Sequence, residues 1–199
     1  MSTAAILAGG RARRFGGKPK LLLPLGDRRI VDRLLAALRA VADQVFIVAD
    51  DRKTYAGLDV PVHPDVLGAA GPLGGVHAAL TASRSSRTLV VAGDMPFLGP
   101  AFLARLLQHA SVAVDVAVPH TRDGYQPLCA CYRASCIPLL ERRIAAGTLQ
   151  AHEAVREMRR YELGDAAIRP LDPAGTLFFN VNTPADYARA LALAAYHAC

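Results

Sequence analysis

Short unbroken apolar runs alternate along this chain with stretches in which apolar residues recur every three or four positions. Residues 3–9 (TAAILAG), 44–50 (QVFIVAD) and 87–94 (RTLVVAGD) are the unbroken runs, and each reads as a strand buried on both faces. A shorter strand is expected within DVPVHPD, residues 59–65. Between them, residues 29–41 (RIVDRLLAALRAV) place Ile30, Val31, Leu34, Leu35, Leu38 and Val41 on one helical stripe. Residues 73–83 (LGGVHAALTAS) and 101–110 (AFLARLLQHA) are further helices, the second entered through Gly99-Pro100 with proline at a tolerated first-turn position. Residues 115–132 (DVAVPHTRDGYQPLCACY) read as two strands joined around Asp123-Gly124. Helices follow at 136–147 and 149–160, and the finish at 176–198 reads as a short strand and then a helix marked by Thr183, Pro184 and Asp186.

Unbroken strands separated by helices predict a three-layer α/β/α, Rossmann-like domain with a mainly parallel sheet, spanning residues 1–199 without a repeat or linker. Such sheets bind ligands beyond the carboxyl ends of their strands. Four loops meet there: residues 9–20, residues 63–75, residues 94–97, and the stretch around Asn180–Asn182.

Composition agrees with a globular protein: the hydrophobic fraction is 52% and mean hydropathy is +0.23. Charge sharpens the picture. Of a formal net charge of +6, the segment 11–20 alone supplies five cations, Arg11, Arg13, Arg14, Lys18 and Lys20. A nucleic-acid surface spreads its cations and adds stacking aromatics. Here they crowd one loop whose only aromatic is Phe15. A compact polyanion is the expected partner, with neither nucleic acid nor membrane. No apolar run reaches the ~20 residues that cross a bilayer, and the start MSTAAILAGG has no basic leader, so a cytoplasmic protein is expected. Cys129, Cys131 and Cys136 have a C-x-C-x4-C spacing that fits no common zinc pattern; with Cys199 they are expected as reduced thiols.

The loop at 9–20 is neither a Walker A loop, since Pro19 follows Gly17-Lys18, nor a G-x-G-x-x-G dinucleotide turn. It has glycine pairs, Gly9-Gly10 and Gly16-Gly17, around cations just after a buried strand. Glycines let amide groups turn toward an anion, while Arg14 and Lys20 neutralise phosphate oxygens as a fork and a point charge. The plain alternative is a solvated arginine-rich loop. Asp94, at the end of a buried strand, is placed to hold Mg²⁺ bound to substrate phosphates, the alternative being a turn aspartate. In HPDVLGAAGPLGG, residues 63–75, glycines allow a tight wrap around a base or ribose, and Asp65 offers a carboxylate. His63 has no visible catalytic partner. Asn180 and Asn182 flank Val181 in a strand-like stretch and are expected to point the same way.

Taken together, LAGG-x3-R-F-GG-x2-K, Asp65 before GPLGG, GDMPF and FFNVNTPAD resemble the molybdenum cofactor guanylyltransferases, within the wider nucleotidyltransferase superfamily. The resemblance runs from about residue 3 to 190. It implies a nucleotide-diphospho-sugar-transferase-like fold and transfer of GMP from Mg²⁺-bound GTP to molybdenum-carrying molybdopterin, giving a guanine dinucleotide cofactor and pyrophosphate. By the same resemblance Leu7, Ala8, Gly9 and Lys20 contact GTP, and Arg14 and Gly17 line its phosphates. Asp65 contacts the nucleotide, Asp94 holds Mg²⁺, and Gly71, Gly75, Asn180 and Asn182 line the site. Relatives that transfer CMP tend to carry LAAG in place of LAGG, so Gly10 favours GTP; cytidylyl transfer to a molybdopterin or sugar-phosphate-like acceptor is the alternative reading. A nucleotide-sensing module without activity would be expected to lack Asp94 or Lys20. Two positions depart from the family pattern: Asp50-Asp51 where members often carry asparagine, and Gln126 where many carry glutamate. The resemblance further implies a monomer or weak oligomer with transient contacts to proteins that donate and receive the cofactor.

Overall fold

The computed structural model describes residues 1–9, 15, 18–67 and 70–196. Strands β1 (Thr3–Leu7), β4 (Gln44–Val48), β5 (Val62–His63), β6 (Arg87–Ala92), β7 (Val116–Thr121), β8 (Gly124–Tyr125), β9 (Cys129–Arg133) and β10 (Arg160–Gly164) form one sheet. A separate two-stranded ribbon is made by β2 (Pro24–Leu25) and β3 (Arg28–Arg29). The helices are α1 (Ile30–Arg39), α2 (Gly71–Ala82), α3 (Pro100–His109), α4 (Ile137–Ala145), α5 (Ala151–Glu157), α6 (Asp165–Ile168) and α7 (Pro184–Tyr196).

The sheet order is β10-β7-β9-β6-β1-β4-β5, with β8 paired to β7. β1 lies between β4 and β6, parallel to both, which explains why its residues are apolar without alternation. β9 runs against its neighbours β6 and β7, and the two-residue β8 runs against β7; the other pairings are parallel, so the sheet is mostly parallel as expected. The side-chain period of two then sorts the core. Ala4, Ile6, Val45, Ile47, Leu89 and Val91 meet α1, α3 and α7 on one face. Ala5, Leu7, Phe46, Val48, Val90 and Val118 meet α2, α4 and α5 on the other.

Two expectations are corrected. The helix expected over 149–160 stops at Glu157; Met158 is already extended, and residues 160–164 form β10. This edge strand buries only Leu163, so its alternation is too faint to read against the preceding helical period. The short strand expected before α7 is absent. Its backbone groups bond to loops instead: Asp172 accepts from the N–H groups of Thr176 (2.8 Å) and Leu177 (3.1 Å), and Val181 N–H donates to the Asp94 carbonyl at 2.9 Å. The start of α7 is as expected, with Asp186 N–H donating to Thr183 Oγ1 at 3.1 Å while the Asp186 carboxylate accepts from Thr183 N–H at 2.8 Å. Cys129, Cys131 and Cys136 are buried free thiols, and burial pushes the last two up to about 12, which leaves them poor nucleophiles and metal ligands. Among the described residues no helix is long and apolar enough to cross a membrane.

One ionic clamp ties the β10 edge to the sheet. Asp115, just before β7, accepts from Arg159 Nη2 at 2.7 Å, Arg159 Nε at 3.0 Å and Ser135 Oγ at 2.8 Å. The Arg159 bonds, helped by Ser135, lower its carboxyl from 3.8 to about 2. A carboxyl depressed in the fold stabilises above its unfolded value and loses that contribution as pH falls toward the folded one. Stability is therefore expected to fall between about pH 4 and 2 in wild type. Asp115→Asn should lose ~1–3 kcal/mol at neutral pH and show a shallower acid limb, read by urea unfolding across pH. An unchanged acid limb would remove Asp115 from the account.

Candidate nucleotide and metal site

The ends of β1 and β6 are held closer than side chains normally permit. One residue past β6, Gly93 N–H donates to the Leu7 carbonyl at 3.0 Å. A Cβ on Gly93 would lie 2.7 Å from Leu21 Cδ1 and 3.1 Å from that carbonyl oxygen. Only glycine leaves room for Leu21, which is buried in a single 3-10 turn, Lys20–Leu22. That turn carries Lys20 to the strand ends. Its Nζ lies 3.2 Å from Asp94 Oδ2 and 3.1 Å from Asn182 Oδ1. Residues 20, 94 and 182, far apart in the chain, thus meet in one cluster, and the Val181–Asp94 backbone bond locks the third segment to the second.

Asp94 is the cluster's centre. Its Oδ2 faces the ammonium, while Oδ1 is buried and has no hydrogen-bond partner among the described residues. An unpartnered carboxylate oxygen is costly and calls for a cation or donor. Among the described residues no group of three His, Cys, Asp or Glu side chains could hold a metal ion alone. The donor set therefore fits Mg²⁺ held by one carboxylate, with the remaining ligands drawn from phosphates and water.

A second group flanks the other side of β1. Asp65 Oδ1 accepts from Leu67 N–H at 3.1 Å, and the carboxyl is pushed above its usual range by desolvation, with the Asp50 charge adding to the rise and His77 opposing it. Gly71 opens α2 at φ +58°, a left-handed conformation that side chains seldom adopt. Gly75 lets α2 settle on the end of β1: its Cβ position lies 3.2 Å from Leu7 Cδ1. Ala8 N–H continues the sheet by donating to the Val48 carbonyl at 2.8 Å, leaving Gly9 exposed beyond it. His63 packs edge-on against Phe46, a packing role.

Lys20, Asp94 and Asn182 are brought together, and Leu7, Ala8, Gly9, Asp65, Gly71 and Gly75 line the adjoining edge. Asn180 lies outside any strand, and its Nδ2 donates to the Phe178 carbonyl at 3.0 Å, so Asn182 alone of the two bonds Lys20 among the described residues. Gly10, Arg14 and Gly17 lie outside the described residues. Three positioning residues escaped the sequence reading. Gly93 is one, and its signal is a glycine between a buried strand and a charged residue. Phe15 and Tyr187 are the others: their rings meet edge-on at 6.3 Å, and Tyr187 Oη donates to the Pro24 carbonyl. Phe15 is the one aromatic among the loop's cations, a signal of anchoring.

A three-layer α/β sheet with a lysine, an amide and a metal-competent carboxylate at its strand ends is the architecture of a nucleotide-binding enzyme of the nucleotidyltransferase class. The MobA-like NTP transferase domain matches residues 4–165, and the chain belongs to that family. A probable molybdenum cofactor guanylyltransferase of Pelotomaculum thermopropionicum is 37% identical over 193 residues, covering 97% of this chain and 93% of that protein. A molybdenum cofactor guanylyltransferase of Desulfosudis oleivorans is 32% identical over 188 residues, covering 94% and 93%. The crystal structure of molybdopterin-guanine dinucleotide biosynthesis protein A from Archaeoglobus fulgidus superposes with a TM-score of 0.84 at 27% identity, covering 98% of this chain and 99% of that one.

Gly93→Ala tests the close packing. The added carbon should force Leu21 and Lys20 outward, costing ~1–3 kcal/mol of stability and weakening nucleotide binding together. Thermal unfolding and nucleotide titration read both. A variant as stable as wild type would show that the contact yields.

Proposed function

We propose that the protein transfers GMP from GTP to the terminal phosphate of molybdenum-carrying molybdopterin, releasing pyrophosphate. The names of the relatives that align over more than nine-tenths of the chain support the substrates. The convergence of Lys20 Nζ on Asp94 and Asn182 is the observation that carries the chemistry.

In this reading an oxygen of the acceptor phosphate forms a bond to the α-phosphorus of GTP as the bond from that phosphorus to pyrophosphate breaks. A phosphate monoester has its second ionisation near pH ~6, so the nucleophile is already anionic and needs no general base. The barrier is the approach of one anion to another, and the residues answer it by position and charge. Lys20 exchanges its bond with Asp94 for phosphate oxygens. Asn182 holds the ammonium on course. Asp94 is the Mg²⁺ ligand, and the bound ion supplies neutralisation of the triphosphate and of the departing pyrophosphate. Asp65 contacts the nucleotide, and Leu7, Ala8, Gly9, Gly71, Gly75 and Asn180 line its site. Arg14 and Gly17 border the phosphates, and Gly10 selects GTP over CTP, as the loop motif implies. The same reading places the protein in the cytoplasm, as a monomer or weak oligomer in transient contact with proteins that deliver and receive the cofactor.

Thermal shift with GTP, CTP, ATP and UTP, each with and without Mg²⁺, tests the nucleotide. GTP with Mg²⁺ should stabilise most, by ~2.7 kcal/mol at a hundredfold excess over its dissociation constant. A larger shift with CTP would transfer the proposal to cytidylyl transfer. Steady-state kinetics test the residues. Asp94→Ala should lose ~10²-fold or more in turnover while remaining folded. Lys20→Ala should lower kcat and raise the KM for GTP together, by ~10-fold or more. Lys18→Ala, at an exposed position, should stay within about twofold. A damaging Lys18→Ala beside a harmless Lys20→Ala would displace the loop assignment by two residues.

A further inference from the structure

The groups assigned to the nucleotide lie over β1, β4, β5 and α2. The same carboxyl edge continues past Asp94 in the other direction, over β9, β7 and β10, and carries a second cluster that the proposed mechanism does not use. His120 stacks on Tyr125 with ring centroids 4.4 Å apart and planes inclined by 26°. Glu162 fixes both rings, its Oε2 lying 3.1 Å from His120 Nδ1 and its Oε1 accepting from Tyr125 Oη at 2.6 Å. Arg160 Nε completes the set, 2.8 Å from Glu162 Oε1 and 2.9 Å from Tyr125 Oη. The imidazole is thus backed by a phenol ring and held at one nitrogen, yet 45% of its side chain remains open. An exposed ring normally samples several rotamers; this one is constrained twice over.

Sheet register fixes where the cluster lies. Leu89 of β6 and Ala117 of β7 both stand opposite Cys131 of β9, so His120 is level with Ala92, just before Asp94. Two strand spacings separate β7 from β6, about 10 Å. The face is also determined. Val116 and Val118 pack with α2, α4 and α5, and by the period of two His120 projects on that side, the side of Gly71 and Gly75. Asp94 therefore sits between the nucleotide group and this cluster, along one edge.

Resting on the guanylyl-transfer reading above, we propose that His120, backed by Tyr125 and held by Glu162, is the stacking platform for the planar heteroaromatic body of the acceptor. The acceptor phosphate must reach the reaction centre at Asp94 and Lys20, and His120 stands about two strand spacings from it along the edge, on the side away from the nucleotide group. The open face of a tethered imidazole suits such a ring: stacking gains most when neither partner loses rotamer freedom on contact. Arg160 and Glu162 act as positioning residues through the two rings.

The test has two arms, each on the whole chain. In the first, a simple fluorescent pterin, 6-hydroxymethylpterin, is titrated into wild type, His120→Ala and His120→Phe without nucleotide. Wild type and His120→Phe should quench its emission, and His120→Ala should weaken binding ~10-fold. In the second, steady-state transfer should show the KM for molybdopterin raised ~10-fold in His120→Ala and restored in His120→Phe, with the KM for GTP unchanged. Glu162→Gln should raise the same KM less. Equal pterin binding by His120→Ala and wild type, or no quenching by wild type, overturns the platform. A wild type that transfers no GMP refutes the function instead, and the fluorescence arm still reads the platform. Because His120 is exposed, equal melting temperatures should accompany all three forms, which separates lost stacking from lost folding.

Discussion

The hydrogen bond from Gly93 N–H to the Leu7 carbonyl, one step beyond the paired ends of β1 and β6, sets the spacing on which the site depends. It carries the parallel ladder one residue past the Leu7–Ala92 pair. The gap is filled by Leu21, and Leu21 brings Lys20 with it. The ammonium then has a partly buried carboxylate and an amide oxygen within reach, and Asp94 is drawn to the same point by the backbone of Val181. Replace the hydrogen atom of Gly93 by a methyl group and each of these contacts has to move.

Electrostatics at this point are unbalanced in a useful way. Asp94 satisfies one oxygen with Lys20 and leaves the other buried and unpartnered among the described residues. Asp65, across β1, is partly desolvated and lies within the field of Asp50, so its charged form is disfavoured. Neither carboxylate is in its most comfortable state without a ligand, and a site under such strain favours whatever delivers cation and donor groups together. A metal-bound nucleotide does both. By contrast Asp115, with an arginine fork and a hydroxyl, is fully served and carries stability alone.

Much of the site was legible because loops at strand ends concentrate chemistry. The strands declared themselves by unbroken apolar runs, and the glycine pairs and cations after β1 stood out against a nearly neutral remainder. Asp94 and Lys20, which the fold brings together, were singled out this way, as were Thr183 and Asp186 at the start of α7. The strand expected around Asn180 did not form, since the backbone there bonds to Asp172 and Asp94 and not to a neighbouring strand. β10 was missed because an exposed edge needs few apolar residues, and Arg159 and Arg160 looked like the end of a charged helix. The platform of His120, Tyr125 and Glu162 had no linear signature, because its members come from two hairpin strands and a remote edge.

What the chain determined by itself was local: which runs are apolar enough to be central strands, where proline and threonine open helices, and where glycine must allow a turn. These follow from periods of two and 3.6 residues and from backbone sterics, which act over short distances in sequence. Only the tertiary structure decided that β9 is inserted between β6 and β7, which puts His120 level with Ala92, and that Asn182 bonds Lys20. Those outcomes depend on which strand edges remain free and which buried groups still need partners, and both are settled when the sheet has closed around its core.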